Sequence, residues 1–324
     1  MYIHVPSEFN SNYPQIEYPV LYVFDPDAHF LSIVSMIDRM STNVGEEICP
    51  QMIIVGVRNT DRVRDMFPIH EEDRFHDFLE NELIPYIDDK YPTKPYRVLF
   101  GHSITGLRTV HTAIFYPHLF NAYIALDPSL CHEYCGWFTK YEREIEDFDL
   151  GGNRMFLAMA HTMVGKDTTA VRQDTSGRAS HMNAMMDFSE NMLQKNNEGE
   201  QYQWKYYPDR SHNSVTLPAT LDGIEQIFSW YKNNTYEFIF ADDTSPEQAF
   251  NAYKEHYEQV SSQLGYTEWP SEGQLHTLIW YLHHIKNMTK KALLFAQLNV
   301  QNYPNSSSAK EQLEEIKMNL GVSN

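Results

Sequence analysis

Residues 97–106 read Arg97-Val-Leu-Phe-Gly-His-Ser-Ile-Thr-Gly106, and this stretch decides the fold. Its Val-Leu-Phe run is typical of a short buried strand, and residues Thr105 to Phe115 recur at the spacing of a helix. A serine at such a corner is forced out of the sheet. There the next backbone N–H and the helix N-terminus stabilise an oxyanion. The stretch therefore predicts a nucleophile elbow that carries Ser103.

One position departs from the usual elbow pattern, Gly-x-Ser-x-Gly, in which small residues flank the serine because the turn is crowded. Gly101 fits, but Thr105 occupies the second glycine position and Gly106 follows one place later. A serine before a helix is also a common N-cap, which satisfies backbone N–H groups without any chemistry. The flanking chain has to decide between these two interpretations.

Charge excludes several classes of protein. The chain has 324 residues with 25 basic and 44 acidic side chains, which give a formal net charge of -19. Such a charge repels nucleic acid and anionic membrane surfaces. No apolar stretch reaches the roughly 18 to 20 residues that span a bilayer. We therefore expect no nucleic-acid partner and no membrane span.

The cysteines leave the compartment open. Cys49, Cys131 and Cys135 show neither zinc-ligand spacing nor the pattern of a disulfide framework. Buried or loose thiols fit any compartment, whereas a Cys131–Cys135 bridge fits an exported protein. The chain also opens abruptly in what reads as a strand, which is what a removed upstream signal would leave. Both periplasmic or secreted and cytoplasmic locations stay open.

Strand and helix patterns alternate through the first part of the chain. Apolar, β-branched runs typical of buried strands begin at Tyr18, Met52, Val98, Tyr123, Arg154 and Tyr202. Alternation of this kind predicts a mostly parallel sheet covered on both faces, with ligands beyond the carboxyl ends of the strands. Polar residues follow these ends, among them Asp25, Ser103, Asp127 and His212. This agreement favours the elbow over the cap.

The composition changes near Asp242, where a short polar segment reads as a linker. Four helical patterns follow, and paired helices separated by Tyr-Pro are typical of a tetratricopeptide hairpin. We predict an α/β domain over residues 1–241 and a helical, tetratricopeptide-like region over residues 242–324. These helices are expected to pack on the first domain, on a second copy of the chain or on another protein.

The elbow needs two further groups, because a serine hydroxyl is a weak nucleophile without a base and a carboxylate that orients the base. His212 is the predicted base. It follows the last strand directly, and elbow enzymes run in the chain order serine, acid, histidine. The acid is expected in the loop after the fifth strand, where Asp174 is preferred and Asp167 is second. Asp127, at the end of the fourth strand, is third.

The oxyanion hole is expected to have two donors. One is the Ile104 N–H, directly after the serine. The other is an N–H from the loop after the first strand, at Asp27 or Ala28. His102, beside the nucleophile, is expected either to shape the acyl pocket and contact substrate or to pack in the core.

Several segments together resemble the putative esterase family, which includes esterase D, feruloyl esterases and the trilactone esterases of enterobactin and salmochelin. They are Tyr-Pro-Val-Leu-Tyr-Val-Phe-Asp-Pro-Asp-Ala-His-Phe (18–30), Ile-Val-Gly-Val-Arg-Asn-Thr-Asp-Arg-Val-Arg-Asp (54–65), Phe-Gly-His-Ser (100–103), Asp-Pro-Ser-Leu (127–130) and Ser-His-Asn-Ser-Val (211–215). The resemblance covers residues 2–232. It implies an α/β-hydrolase fold and ester hydrolysis by Ser103 and His212 without metal or cofactor. It also favours Asp174 as the acid.

The resemblance to siderophore esterases directs attention to cations, because a catecholate–iron substrate is strongly anionic. Arg58, Arg62 and Arg64 lie in one strand-end loop. We expect them to supply local positive charge, with Arg58 in contact with substrate; alternatively they pair with Asp61 and Asp65. The sequence thus predicts a serine hydrolase of a small-molecule carboxylic ester. A non-catalytic binding protein of the same fold and an acyltransferase are the alternatives.

Overall fold

The computed structural model describes residues 1–6, 17–42, 46–68, 73–131, 136–177, 179–195 and 200–321. The chain folds as two compact units. The first contains residues 1–41 and 48–229, and the second contains residues 42–47 and 230–324. The domain boundary between residues 241 and 242 stays a proposal. Cys135 lies outside the described residues, so the Cys131–Cys135 bridge stays a prediction.

The described residues of the first unit form one seven-stranded sheet. Its strands are β1 (Tyr2–His4), β2 (Tyr18–Phe24), β3 (Ile53–Val57), β4 (Thr93–His102), β5 (Ala122–Leu126), β6 (Arg154–Ala160) and β7 (Tyr202–Tyr207). They lie in the order β1-β3-β2-β4-β5-β6-β7. Only β1 is antiparallel to its neighbour, and the other pairs are parallel. The central strands are apolar at nearly every position because both of their faces are buried.

Helices cover both faces of this sheet. They are α1 (Pro26–Ser41), α2 (Arg62–Met66), α3 (Arg74–Phe78), α4 (Ile84–Lys90), α5 (Ile104–Phe115), α6 (Trp137–Lys140), α7 (Glu142–Asp147), α8 (Thr168–Arg172), α9 (Ser180–Lys195) and α10 (Thr216–Ile227), with a π-helical turn at Leu79–Leu83. Leu107 of α5 is buried in one apolar cluster with Tyr123. On α10, Gly223 lies against Ile124. Because consecutive strand residues point to opposite faces, α5 and α10 lie on opposite sides of β5. The predicted parallel sheet with two covered faces is confirmed.

The second unit is helical. Its helices are α11 (Tyr236–Phe240), α12 (Pro246–Leu264), α13 (Glu272–Trp280), α14 (Thr289–Asn302) and α15 (Ser307–Leu320), and a π-helical turn at Tyr281–Ile285 extends α13. Capping boxes start α12 and α13, where Ser245 and Ser271 each exchange hydrogen bonds with a glutamine three residues later. The helical patterns predicted for this region are therefore helices. Their tetratricopeptide character stays a prediction. Within the described ranges, no helix combines the length and apolar character needed to cross a bilayer.

Candidate active site

Three backbone corners meet at one edge of the sheet. Asp25, Ser103 and Asp127 each follow directly after a strand, and their φ angles are 48°, 62° and 39°. The strands before them, β2, β4 and β5, are parallel neighbours, so their carboxyl ends lie side by side. Positive φ is uncommon for residues other than glycine, and such strained conformations cluster at functional sites. This edge of the sheet is the candidate active site.

Ser103 alone makes the corner between β4 and α5. Its N–H donates to the carbonyl of Leu126 at 3.0 Å, and its own carbonyl accepts N–H groups from Leu107 at 2.9 Å and Ser129 at 3.0 Å. The backbone of the serine is therefore tied to the neighbouring strand and to its own helix. Its side chain lines a cavity of about 670 Å³.

Two glycines let helix and strand approach at this corner. A Cβ atom on Gly101 would lie 2.1 Å from the carbonyl oxygen of Thr105, closer than any real contact. A Cβ atom on Gly106 would lie 3.0 Å from Cα of Pro128, also a tight contact. The glycine that an elbow needs after the serine is thus present here as Gly106, one position later than in the usual pattern.

Thr105, which departs from that pattern, is part of the turn. Its side chain is fully buried. Its hydroxyl donates to the carbonyl of His102 at 2.8 Å and accepts the His102 N–H at 2.9 Å. One side chain thereby satisfies both backbone groups of the residue before the nucleophile. The threonine fits the elbow rather than distorting it.

Replacing Thr105 with valine is expected to lower the free energy of unfolding by about 1–3 kcal/mol, because the buried N–H and carbonyl of His102 lose their partner while the volume stays nearly constant. Chemical denaturation measures this loss. Thr267→Val, at an exposed position, is the matched control and should change stability by less than about 0.5 kcal/mol. Equal stability of the two variants would contradict the structural role of the Thr105 hydroxyl.

A buried carboxylate lies against His212. Asp127 Oδ2 is 2.5 Å from His212 Nδ1, and Asp127 Oδ1 accepts the Ala160 N–H at 2.8 Å. Burial by itself raises the pKa of Asp127, but the neighbouring His181, the hydrogen bond from His212 and the N–H of Ala160 outweigh it and hold the pKa well below its usual range. The carboxylate is therefore ionised and accepts the Nδ1 proton of His212. This leaves Nε2 of His212 as a proton acceptor.

The structure gives Asp174 a different role from the expected one. Its carboxylate forms an ion pair with Lys166 and accepts the Ser176 N–H at 2.7 Å. The hydrogen bonds from Lys166 and Ser176 lower its pKa. Asp167 caps α8 by accepting the Ala170 N–H at 2.8 Å. Both carboxylates bind groups of their own segment. The expectation that Asp174 contacts and orients His212 is therefore wrong, and the carboxylate in that contact is Asp127, the third choice above.

His102 lies against the predicted base. Its Nε2 is 2.8 Å from the carbonyl oxygen of His212, and the two rings pack with their centroids 4.5 Å apart. Burial, together with the neighbouring His212, lowers the pKa of His102 to about 4. The ring is therefore neutral near pH 7, and its N–H donates to that carbonyl. His102 lines the cavity, where it was expected to contact substrate. It also holds the loop that carries His212 through this hydrogen bond.

The backbone donors expected for an oxyanion differ in availability. Ile104 is the first residue of α5, so its N–H has no acceptor within the helix. The N–H of Ala28 donates to the Asp25 carbonyl at 3.0 Å, so it is already used. Asp27, in the first turn of α1, lines the cavity and its N–H has no acceptor within that helix. The choice of Ala28 is therefore corrected to the alternative, Asp27.

The arginines near the cavity face carboxylates. Arg58 and Arg62 both line it. Arg62 binds Asp25 through Nε at 2.9 Å and through its terminal nitrogen at 2.8 Å, and Arg58 Nε lies 3.4 Å from Asp27. Arg62 and Arg64 lie in the short helix α2 rather than in a loop, and Arg64 pairs with Asp65 at 2.6 Å. The cavity wall thus carries both signs of charge, and the expected excess of positive charge is largely balanced.

The sequence ranked Asp127 low and passed over His181. Asp127 carried a usable signal, since it follows a buried strand directly and precedes a proline that ends the strand. His181 carried none, because a histidine in the first turn of a helix is common on any surface. Only the fold places it beside Asp127.

Comparison with known proteins gives two kinds of match. A sequence model of the family described as putative esterase matches residues 1–224. No curated protein matches the chain significantly. Solved structures do match, and they include an IroE-like serine hydrolase from Shewanella oneidensis at 26% identity and a TM-score of 0.70. That alignment covers 93% of this chain and 94% of that one.

Two other solved structures show the same fold at lower identity. An uncharacterised protein from Capnocytophaga ochracea is 18% identical with a TM-score of 0.65, and the alignment covers 99% of this chain and 85% of that one. The enterobactin esterase of Shigella flexneri is 14% identical with a TM-score of 0.51, covering 66% of this chain and 53% of that one. Together with the sheet described above, these similarities confirm the α/β-hydrolase fold.

Proposed function

This chain belongs to the putative esterase family, and from that membership we propose that it cleaves a carboxylic ester with Ser103 as nucleophile, His212 as base and Asp127 as the acid. Esterase activity itself follows from the family and from the similarity to the IroE-like serine hydrolase. One observation carries the assignment of residues. It is the 2.5 Å contact between His212 and the buried Asp127, beside the cavity that Ser103 and His212 share.

The first half of the reaction forms an acyl-enzyme. His212 Nε2 takes the proton of Ser103 while the serine oxygen attacks the ester carbonyl. The imidazolium that results is stabilised by the ionised Asp127 at Nδ1. The carbonyl oxygen becomes an oxyanion, which the N–H groups of Ile104 and Asp27 bind. A donor of this kind contributes about 2.7–4 kcal/mol to the transition state.

The second half releases the acid. His212 gives its proton to the leaving alkoxide, so an alcohol departs and the acyl group stays on Ser103. Water then loses a proton to His212 as it attacks the acyl carbon, and collapse of the second intermediate returns that proton to Ser103. The chain's own residues therefore account for every proton in the cycle.

The substrate class divides into simple esters and siderophore-type lactones. The resemblance of the sequence to siderophore trilactone esterases, together with the fold shared with the enterobactin esterase, supports a siderophore-type ester. The charges at the cavity favour a less anionic substrate, because Arg58 and Arg62 are paired with Asp27 and Asp25. A catecholate must break one of these pairs before it gains a cation. We therefore place carboxylic esters of low charge first and siderophore lactones second.

The test is turnover of p-nitrophenyl acetate and butyrate, together with labelling by a fluorophosphonate and mapping of the modified peptide. Turnover with the label on Ser103 supports the proposal. A folded protein that shows neither turnover nor labelling would contradict the proposal and would favour a non-catalytic binding protein of the same fold. A catecholate trilactone hydrolysed more efficiently than the simple esters would reverse the order of substrates. An added alcohol that captures the acyl group in preference to water would indicate an acyltransferase.

A further inference from the structure

A second histidine lies beside the acid. His181, in the first turn of α9, has Nε2 3.6 Å from Asp127 Oδ2. Its ring is edge-on to the ring of His212, with the centroids 6.3 Å apart. Asp127, His181 and His212 each present one ligand atom, and all three atoms lie within 4.8 Å of one another. The buried carboxylate is thus shared by two imidazoles.

Two imidazole nitrogens and one carboxylate oxygen are a donor set that Zn²⁺ binds, and three protein ligands leave one position open. Around a tetrahedral ion at about 2.0–2.1 Å from each ligand, the ligand atoms lie roughly 3.3 Å apart. The 3.6 Å separation of His181 and Asp127 is close to this value. The His212 to Asp127 contact needs to open by less than about 1 Å.

Two of the three ligands reach the surface, and the third, Asp127, is buried beneath them. The side chains of His181 and His212 are 25% and 36% exposed, so solvent reaches both rings. Another described cluster, Asp73 with His76 and His111, differs in this respect. The Arg108 guanidinium already binds Asp73 and lies 3.0 Å from His76 Nδ1. The Arg108 guanidinium occupies that cluster, whereas within the described ranges no arginine or lysine contacts Asp127.

We propose that Asp127, His181 and His212 form a Zn²⁺ site through which the ion inhibits the esterase reversibly. The inhibition rests on the proposed function, because the site takes its ligands from the acid and the base of the catalytic set. His181 is the ligand that this set does not use. A substitution of His181 therefore removes a metal ligand without removing a catalytic residue.

The inhibition follows from the two nitrogens of His212. In the metal-free enzyme the neutral ring carries its proton on Nδ1, which donates to Asp127, and Nε2 accepts the proton of Ser103. Zn²⁺ takes the Nδ1 lone pair, so the single ring proton must move to Nε2. No proton is lost overall. A ring protonated at Nε2 no longer accepts the proton of Ser103, and the first step of the reaction stops.

The kinetic test measures p-nitrophenyl ester hydrolysis against free Zn²⁺ set by a metal buffer, with each variant normalised to its own zinc-free rate. Wild type should be inhibited, and a chelator should restore its rate. His181→Gln should need roughly tenfold or more Zn²⁺ for half inhibition, because one of three ligands is lost. His284→Gln is the matched control. It removes a ligand from the other accessible cluster, His283, His284 and Glu315, and should be inhibited like wild type.

A binding test separates this proposal from the proposed function. Calorimetry with Zn²⁺ uses Ser103→Ala/His284→Gln, which needs no turnover, and the same protein with His181→Gln added. The first should bind one ion that the second binds roughly tenfold or more weakly. Equal Zn²⁺ binding by the two proteins would overturn the site, whatever the esterase assay shows. Tight binding at His181 without inhibition of an active enzyme would overturn the inhibition alone. Mg²⁺, which prefers oxygen ligands, should not inhibit.

Discussion

Replacing Ser103 with alanine is expected to lower kcat for ester hydrolysis by about 10⁴- to 10⁶-fold, because no acyl-enzyme forms and only the oxyanion donors and substrate binding remain. The fold should be retained, since the backbone hydrogen bonds of this corner do not involve the serine hydroxyl. Initial rates on p-nitrophenyl butyrate, measured with wild type and variant at equal folded concentration, check the expectation.

Ser129 supplies the control for this change. Its hydroxyl lies 3.4 Å from that of Ser103, so both occupy the same part of the site. Ser129→Ala should keep activity within roughly tenfold of wild type, because that hydroxyl is not the one assigned to attack. It should still be labelled on Ser103 by a fluorophosphonate. A large loss in Ser129→Ala with little loss in Ser103→Ala would move the nucleophile to Ser129.

Replacing Asp127 with asparagine is expected to lower kcat by about 10⁴-fold. The amide keeps the shape of the carboxylate, but its NH₂ group can donate to His212 Nδ1. That holds the proton of the ring on Nε2, the wrong tautomer for a base. The imidazolium that forms during the reaction also loses its buried counter-charge. Steady-state kinetics, with circular dichroism to check folding, measure the effect.

Asp174→Asn is the matched comparison, because it makes the same change in the residue that the sequence preferred. Its carboxylate binds Lys166 and Ser176 at the surface, so kcat should stay within about threefold of wild type. The opposite outcome, a large loss for Asp174→Asn with normal activity of Asp127→Asn, would return the role of the acid to Asp174. Normal activity in both variants would indicate a Ser103–His212 dyad.

Much of the fold was predictable because it depends on local patterns. The strands β6 and β7 begin at Arg154 and Tyr202, the residues at which the apolar runs of the sequence begin. Helix α5 starts at Ile104, one residue before the helical spacing began. Burial on both faces demands continuous apolar strands, and burial on one face demands a 3.6-residue period in helices. Both patterns can be recognised from residues that are close together in the sequence.

The glycine pattern of the elbow was only partly predictable. The sequence showed that Gly101 satisfies the crowded turn and that Thr105 does not match the usual pattern. It did not show that the threonine hydroxyl satisfies both backbone groups of His102, or that Gly106 meets Pro128 of the next strand end. The first fact depends on a rotamer and the second on packing between β4 and β5. Neither has a local signal.

The sequence by itself determined the α/β fold, the serine at its elbow and the histidine after its last strand, because each is marked by residues next to it in the chain. Tertiary structure alone decided which carboxylate lies against His212. Asp127 and His212 are 85 positions apart. The local signal of Asp127 does not single it out, because Asp25 also follows a buried strand and precedes a proline. The register of parallel strands brings one of them, with His181 beside it, to His212. Contacts between side chains at different strand ends depend on the order and register of the strands in the sheet, which cannot be predicted from a short stretch of sequence.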